Sequence, residues 1–235
     1  MKLLISPINP QEAISAANGG ADIIDVKNPK EGSLGANFPW VIRSVKEAVG
    51  SLKPVSATIG DFNYKPGTAS LAALGAAVAG SEYIKVGLYD IQTEEQALDM
   101  LSNITRSVKD YDPTKKVVAS GYSDYSRVNS IAPFLLPEIA SRCGVDVVMV
   151  DTAIKDGKST FDFMSEEELK KFTHLAQRSG LECAIAGTLK FDDLPIIGRI
   201  APDIIGVRGM VCGGDRNSCI QEELVKQLRQ KMYDL

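Results

Sequence analysis

Eight short runs of apolar and β-branched residues recur along this chain, and their spacing strongly limits the folds that it can adopt. The runs begin roughly 20 to 37 residues apart, which is about the length of one strand followed by one helix. They cover residues 3–6, 22–27, 54–60, 82–87, 116–122, 145–151, 182–187 and 203–208. Near-continuous apolar strands alternating with helices are typical of a parallel sheet covered by helices. We therefore predict a single-domain α/β fold, a (β/α)8 TIM barrel that spans residues 1–235.

A doubly wound open sheet is the structural alternative to the barrel. Such sheets usually carry a glycine-rich fingerprint directly after the first strand. Here the first run is followed by Pro7, Ile8 and Asn9, with no glycine among them. The sequence therefore favours the barrel, in which functional groups lie at the C-terminal ends of the strands and in the loops that follow.

Histidine and cysteine are scarce in this chain. There is one histidine, His174, and there are four cysteines, with neither C-x-x-C nor H-x-x-x-H spacing among these residues. A zinc ribbon and a histidine-rich metal site are therefore excluded, and we predict no metal and no cofactor. If the chain is an enzyme, its acids, bases and nucleophiles come mainly from the 30 Asp and Glu and the 26 Lys and Arg residues.

The charge and the apolar pattern of the chain argue against two classes of partner. A net charge of −4 does not suit a surface that neutralises many phosphates of a nucleic acid. No apolar run approaches the roughly 20 residues that a membrane-spanning helix needs. Pro7, Asn9 and Pro10 also interrupt the start of the chain before a signal-peptide core can develop. We expect a cytoplasmic protein that binds neither nucleic acid nor membrane and keeps its cysteines as thiols.

Charged residues lie at the ends of three predicted strands. Asp25 and Lys27 are two residues apart and share one side of the second strand. Lys85 interrupts the apolar fourth strand, and the sixth strand ends in Asp151 with Lys155 four residues further on. Solvated strand ends are the alternative interpretation, because lysine is seldom buried without a partner. Three lysines near one rim, two of them with an aspartate close in sequence, favour a catalytic cluster.

A lysine amine becomes a good nucleophile or base only when its pKa falls. The reference pKa is about 10.4, so roughly one amine in 2,500 is neutral at pH 7. Partial burial or a neighbouring cation lowers the pKa towards about 7 to 8. Two lysines that face one cavity perturb each other in this way, and such an arrangement indicates imine-forming catalysis on a carbonyl substrate.

Glycine-rich loops follow the seventh and eighth predicted strands. In many barrels the backbone amides of these two loops bind phosphate, which requires glycine for close approach. Tight turns are an equally good interpretation of the same glycines. The candidate phosphate-binding residues are Gly187, Thr188, Arg208, Gly209, Gly213 and Gly214, with Arg216 as a further candidate cation.

A polar loop at residues 28–37 follows the second predicted strand. It is longer than a simple connection requires. A lid over the site, a second anion contact and a mobile surface turn are the three interpretations that the sequence leaves open.

Four segments of the chain together resemble one enzyme family. They are DIIDVKNPKEGSLGANFP at 22–39, YIKVGLYD at 83–90, VMVDTAIKDGKSTFDF at 148–163 and GVRGMVCGGDR at 206–216. The family is that of the (5-formylfuran-3-yl)methyl phosphate synthases of methanofuran biosynthesis, also called 4-(hydroxymethyl)-2-furancarboxaldehyde phosphate synthases. The resemblance covers nearly the whole chain.

The resemblance implies a barrel lyase that condenses two molecules of glyceraldehyde 3-phosphate into a furan aldehyde phosphate, with loss of phosphate and water. It implies that Lys27 forms a Schiff base with the substrate and that Lys85 accepts a proton. Asp25, Asp151 and Lys155 are implied to be supporting site residues. The partner is then a phosphorylated triose, and we also expect a homo-oligomer, because barrels of this size commonly associate.

Three other functions remain open from the sequence. The nearest is another Schiff-base aldolase-type barrel that acts on a different phosphosugar. The second is an isomerase or synthase that uses carboxylates without an imine. The third is a catalytically inactive protein that binds a phosphorylated metabolite.

Overall fold

Eight parallel strands close into a barrel in the order in which they occur along the chain. The computed structural model describes all 235 residues. The strands are β1 (Lys2–Ile5), β2 (Ile23–Val26), β3 (Val55–Phe62), β4 (Tyr83–Leu88), β5 (Lys116–Tyr122), β6 (Val147–Asp151), β7 (Glu182–Ile185) and β8 (Ile204–Val207). Parallel pairing of β1 with β8 completes the ring. The predicted (β/α)8 barrel is therefore confirmed.

Eight helices connect the strands and cover the outside of the barrel. They are α1 (Pro10–Asn18), α2 (Pro39–Val49), α3 (Pro66–Val78), α4 (Glu94–Tyr111), α5 (Leu136–Arg142), α6 (Glu166–Arg178), α7 (Leu194–Ile200) and α8 (Glu222–Tyr233). Local sequence defines where they begin; at α6, for example, Ser165 and Glu168 satisfy each other's backbone N–H groups in a capping box. None of these helices has both the length and the apolar character that crossing a membrane requires.

The core of the barrel has two apolar layers, which follow from the alternation of side chains along each strand. The larger layer, of 56 buried residues, lies between the sheet and the helices. The smaller layer fills the inside of the barrel. Its members are Leu4, Ile23, Tyr83, Val118, Val147, Met149, Ala184, Ala186 and Ile204.

Polar side chains occupy the next inward-facing position along several of these strands. Because side chains alternate with a period of two, Asp25 follows Ile23 and Lys85 follows Tyr83 on the inner face. Both polar residues are almost completely buried. The interior is therefore apolar towards the N-terminal ends of the strands and polar towards their C-terminal ends, where barrel enzymes carry their sites.

The end of β3 departs from regular pairing. The register with β4 shifts between Thr58 and Asp61, and Gly60 adopts a φ of +128° that favours glycine. An irregularity of this kind redirects the side chains that follow it. Beyond the irregularity β3 continues to Phe62, and Asp61 lies at the rim of the barrel.

Candidate active site

Lys85 and Asp25 form a buried ion pair inside the barrel. Lys85 Nζ lies 2.6 Å from Asp25 Oδ2. Asp25 also accepts hydrogen bonds from Ser56 Oγ at 2.6 Å and from Ser6 Oγ at 3.1 Å. Three donors thus hold the carboxylate in one orientation. Sequence reasoning missed the two serines, although Ser56 within β3 and Ser6 directly after β1 continue the same period-two alternation as Asp25.

Lys27 is the lysine of this cluster without a partner. It is the first residue after β2, it is only 7% exposed, and its side chain lines a cavity at the C-terminal end of the barrel. Its Nζ makes no hydrogen bond or ion pair, in contrast to Lys85 and Lys155. Burial, together with the ammonium groups of Lys155 and Lys85, lowers the pKa of Lys27 to about 7, against the opposing effect of Asp151 and Asp25. A substantial fraction of this amine is therefore neutral at pH 7.

Asp151 and Lys155 form a second ion pair, on the opposite side of the cavity from β2. Lys155 Nζ lies 2.5 Å from Asp151 Oδ1 and 2.8 Å from Thr152 Oγ1. Burial alone raises the pKa of Asp151, but the positive charges of Lys155 and Lys27 outweigh it, so the pKa lies below its ordinary value. Asp151 is therefore a carboxylate at neutral pH, and it faces the same cavity as Lys27.

The cavity brings together most of the residues that the sequence selected. Its volume is about 230 Å³, and 19 residues line it. The predicted site residues among them are Lys27, Lys85, Asp151, Lys155, Gly187, Thr188, Arg208, Gly209 and Gly214. Asp25 and Gly213 lie outside the lining, because Asp25 is behind Lys85 and Gly213 is at the exposed outer part of its loop.

The loop after β7 presents unused backbone donors to the cavity. The N–H groups of Gly187 and Thr188, and that of Gly209 after β8, donate to no other group of the chain. Gly187 has a φ of +101°, and a Cβ at this position would lie 2.9 Å from the backbone nitrogen of Thr152. Glycine is required here both by the backbone conformation and by the close approach to the loop after β6.

Arg208 lines the cavity but has no donor to spare. Its Nη1 and Nη2 both bond the carboxylate of Glu12, at 2.7 and 3.3 Å. The remaining N–H groups donate to the carbonyl oxygens of Ser6, Arg216 and Ser218. All five guanidinium donors are thus used within the protein. Arg208 holds the loop after β8 in place, and sequence reasoning missed its partner Glu12.

Arg216 is the free cation in the loop that Arg208 holds. Arg216 lines the cavity, and its buried Nη2 has no hydrogen-bond partner. Burial lowers its pKa below the ordinary value, although a guanidinium stays charged at neutral pH. A buried donor without an acceptor is costly, so the geometry favours an anionic ligand at this position.

The structure contains no group of three or more His, Cys, Asp or Glu side chains that could hold a metal ion. The chemistry that the site offers is that of amines, carboxylates, a guanidinium and backbone amides.

A comparison with protein families identifies the chain. The family model of 4-HFC-P synthase matches residues 3–229. The chain belongs to the 4-HFC-P synthase family. It is therefore an enzyme with (5-formylfuran-3-yl)methyl phosphate synthase activity, in methanofuran biosynthesis, and the resemblance drawn from the four sequence segments is confirmed.

Curated relatives support the same assignment over the full length of the chain. The (5-formylfuran-3-yl)methyl phosphate synthase of Methanosarcina barkeri is 76% identical over 228 residues, which is 97% of each chain. That of Archaeoglobus fulgidus is 55% identical over 234 residues, covering 99% of this chain and 100% of the relative. This 4-HFC-P synthase thus matches relatives of equal length.

Solved structures of other enzymes share the fold of this 4-HFC-P synthase. KGPDC from Streptococcus mutans aligns with a TM-score of 0.67 at 12% identity, covering 99% of this chain and 97% of that one. Phosphoribosyl anthranilate isomerase from Thermus thermophilus aligns with a TM-score of 0.64 at 14% identity, covering 100% and 99%. At these identities the likeness concerns the (β/α)8 barrel alone.

Proposed function

We propose that this enzyme joins two molecules of glyceraldehyde 3-phosphate through a Schiff base on Lys27. The observation that carries the proposal is the Lys27 amine, which is buried, faces the cavity, has no partner and has a pKa of about 7. Such an amine is partly neutral at pH 7 and is able to attack an aldehyde. The overall reaction releases one phosphate and two water molecules, which balances the atoms of the two trioses and the furan product.

The first step forms an imine between Lys27 and one triose phosphate. Nζ attacks the aldehyde carbon, and the carbonyl oxygen leaves as water after two proton transfers. The resulting iminium withdraws electrons from the adjacent carbon, so that a base can remove a proton there and produce an enamine. The enamine carbon then attacks the aldehyde of the second triose, and the iminium serves as the electron sink throughout.

Lys85 is assigned the proton transfer at the carbon next to the iminium. Lys85 begins as the ammonium of the ion pair with Asp25, so we first assign it the donation of a proton to the oxygen that leaves as water during imine formation. Its neutral amine then takes the proton from the carbon next to the iminium, and the ammonium that forms again lies 2.6 Å from the Asp25 carboxylate. Asp25 therefore stabilises the protonated product of this step, and because it does not line the cavity we assign it to Lys85 rather than to the substrate. Asp151 and Lys155 face the substrate and are assigned the proton transfers to and from hydroxyl groups during dehydration.

One phosphate is proposed to bind between the loops after β7 and β8. The unused N–H groups of Gly187, Thr188 and Gly209 supply hydrogen-bond donors, and the Arg216 guanidinium supplies positive charge. Arg208 is assigned to hold the loop, since its five donors are already bonded. Gly213 does not reach the cavity, and we assign it no contact with phosphate.

The second phosphate is proposed to bind near Lys155. Lys155 and Gly157 line the cavity, whereas Lys30 and Ser33 of the loop after β2 do not. The side chain of Ser33 is also occupied, because its Oγ donates to the carbonyl of Thr152 at 2.7 Å. The loop after β6 is therefore the better candidate for this second anion.

Borohydride trapping tests the Schiff base. Incubation with glyceraldehyde 3-phosphate and borohydride should add the mass of a reduced triose phosphate to the peptide that contains Lys27. Lys27→Arg keeps the charge but should not be trapped, while Lys109→Arg, which replaces a lysine remote from the cavity, should be trapped like the wild type. An unmodified Lys27 peptide in enzyme that forms the furan would contradict the imine mechanism.

Product formation tests the substrate. Glyceraldehyde 3-phosphate as sole substrate should give a furan aldehyde that absorbs in the ultraviolet, together with free phosphate in equal amount. A trapped imine without a furan product would favour the alternative of a lysine-dependent aldolase for another phosphosugar.

A homo-oligomer remains our proposal for the assembly. The outer side of α3 supports it, because Leu71 is 74% exposed and Val78 is 55% exposed on a helix with no charged residue. Exposed apolar surface of this kind favours association. Light scattering of the wild type and of Leu71→Lys tests it: a monomeric wild type would contradict the proposal.

A further inference from the structure

The segment formed by residues 33–37, within the loop after β2, is tied to three strands. Ser33 Oγ donates to the carbonyl of Thr152, directly after β6, at 2.7 Å. Gly35 accepts from Thr58 Oγ1 of β3 at 2.7 Å, and Asn37 Nδ2 donates to the carbonyl of Lys27 at 3.2 Å. The segment thus connects the end of β2, which carries Lys27, with the end of β6, which carries Asp151.

Asp61 and Tyr122 hold the middle of this segment. The Tyr122 hydroxyl donates to Asp61 Oδ1, and the backbone N–H of Leu34 donates to Asp61 Oδ2 at 3.1 Å. Tyr122 and Leu34 are 0% exposed and pack together with Val128. The carboxylate therefore links a phenol at the end of β5 to the backbone of the segment.

The protonation states suit these hydrogen bonds. Burial, together with the nearby Asp61 carboxylate, raises the pKa of Tyr122 well above its ordinary value, so the phenol keeps its proton and donates it. Burial raises the pKa of Asp61 above its ordinary value, and the hydrogen bonds from Tyr122 and Leu34 oppose this shift without cancelling it.

Two glycines leave room for the Asp61–Tyr122 pair. A Cβ at Gly87 would overlap both the Tyr122 hydroxyl and the Asp61 carboxylate. A Cβ at Gly32 would overlap Asp61 Oδ2, and Gly32 also has a φ of +137°. Backbone from two separate elements therefore approaches the pair too closely for any other residue. Neither Asp61 nor Tyr122 lines the cavity, so the reaction steps assigned above do not use them.

We propose that Asp61 and Tyr122 are positioning residues, which hold segment 33–37 so that Lys27 and the Asp151–Lys155 pair keep their separation across the cavity. The inference rests on the proposed function, because it concerns the placement of the Lys27 amine. A displacement of about 1 Å of a reacting group is enough to reduce the rate about 100-fold. Segment 33–37 is accordingly a fixed part of the site, anchored at one end through Ser33 and at the other through Asn37.

Tyr122→Phe is the direct test, because it removes only the hydroxyl. We expect kcat to fall about 10- to 100-fold while KM changes less than about threefold, since the phosphate contacts are elsewhere. Hydrogen exchange should quicken in peptides that cover residues 28–39. Phe172→Leu is the matched control: Phe172 is a buried residue of α6, away from the segment, and its truncation should lower stability without changing kcat or exchange in this region.

Variants at two further positions keep the proposal falsifiable if Tyr122→Phe does not fold. Ser33→Ala breaks the bond to Thr152 at the other end of the segment and should lower kcat with the same small change in KM. Asp61→Asn keeps an acceptor for Tyr122 and should retain more kcat than Asp61→Ala.

The outcomes separate this inference from the proposed function. A wild type that is not trapped by borohydride at Lys27 contradicts the Schiff base itself. A trapped wild type combined with a Tyr122→Phe or Ser33→Ala kcat within twofold of the control contradicts the positioning role. A reduced kcat with unchanged exchange over residues 28–39 contradicts it as well, because the effect would then not pass through the segment.

Discussion

Lys85 Nζ and Asp25 Oδ2 lie 2.6 Å apart in a part of the barrel where neither side chain is more than 2% exposed. An ion pair buried this deeply needs both partners, because the removal of one leaves an uncompensated charge. The pair lies directly below the cavity, and Lys85 alone reaches the lining. Asp25 therefore reaches the cavity only through its contact with Lys85.

Asp25→Asn should impair both stability and catalysis. Without the carboxylate, the Lys85 ammonium is left unpaired, which should cost about 3 to 5 kcal/mol of unfolding free energy. We also expect kcat to fall at least about 100-fold, because the protonated amine is no longer stabilised. Urea unfolding and steady-state kinetics measure the two effects. Asp110→Asn, which alters the exposed pair with Arg106, should leave both unchanged, and equal behaviour of the two variants would contradict the role of Asp25.

The rate of imine formation should follow the ionisation of Lys27. Since the pKa of Lys27 is lowered to about 7, the neutral amine increases as the pH rises through 7 and is nearly complete about one unit above. The initial rate of borohydride trapping should rise with pH in this range and then level off. A rate that continues to rise up to pH 10 would show that the pKa is not lowered.

Lys155→Met and Asp151→Asn should move that midpoint in opposite directions. The Lys155 ammonium lowers the pKa of Lys27, whereas the Asp151 carboxylate raises it. Loss of the ammonium should shift the midpoint of trapping above about 7, and loss of the carboxylate should shift it below. A shift in the same direction for both variants would mean that charge is not what sets the Lys27 pKa.

Lys27→Met should stabilise the fold while it abolishes activity. In the wild type the folded state binds fewer protons than the unfolded state between about pH 7 and 10.5, because burial lowers the pKa of Lys27 over this interval. Stability contributed by this residue therefore rises with pH, and the buried charge is most unfavourable at or below pH 7. We expect a gain of about 1 to 4 kcal/mol at pH 7, which shrinks as the pH approaches 10. Urea unfolding at several pH values measures it, and a gain that grows with pH would contradict this account.

Arg216→Ala and Arg208→Ala should fail in different ways. Arg216 is free to bind an anion, so its loss should raise KM about 10- to 100-fold, with a small effect on the free energy of unfolding. Arg208 is bonded to Glu12 in a buried pair, so its loss should cost about 3 to 5 kcal/mol of stability. Glu12→Gln should resemble Arg208→Ala. A raised KM of Arg208→Ala without loss of stability would instead indicate that Arg208 binds phosphate.

The barrel and its principal lysines could be predicted from the sequence because the relevant signals are local. The succession of strands and helices is indicated by runs of a few apolar residues. The alternation of side chains along a strand then places Asp25 and Lys27 on the same inner face. The position of Asp151 at a strand end follows in the same way. Segments that carry these residues were also distinctive enough to indicate the family.

Which arginine is free could not be predicted, because it depends on contacts between distant residues. Arg208 and Glu12 are 196 positions apart in the chain, and only closure of the barrel brings β8 next to the start of α1. The same holds for Asp61 and Tyr122, which are 61 positions apart. Neither pairing has a signature in the sequence around its members.

The sequence by itself determined the eight βα units and the family, and it placed lysines and aspartates at the strand ends, since periodicity and short motifs are properties of neighbouring residues. Only the tertiary structure decided how each charge is used. Lys27 is buried without a partner, and Asp25 lies behind Lys85. The donors of Arg208 are all bonded within the protein, whereas Arg216 lines the cavity without a partner. Ionisation and hydrogen bonding depend on desolvation and on distances of a few ångströms, and these exist only once the barrel has closed.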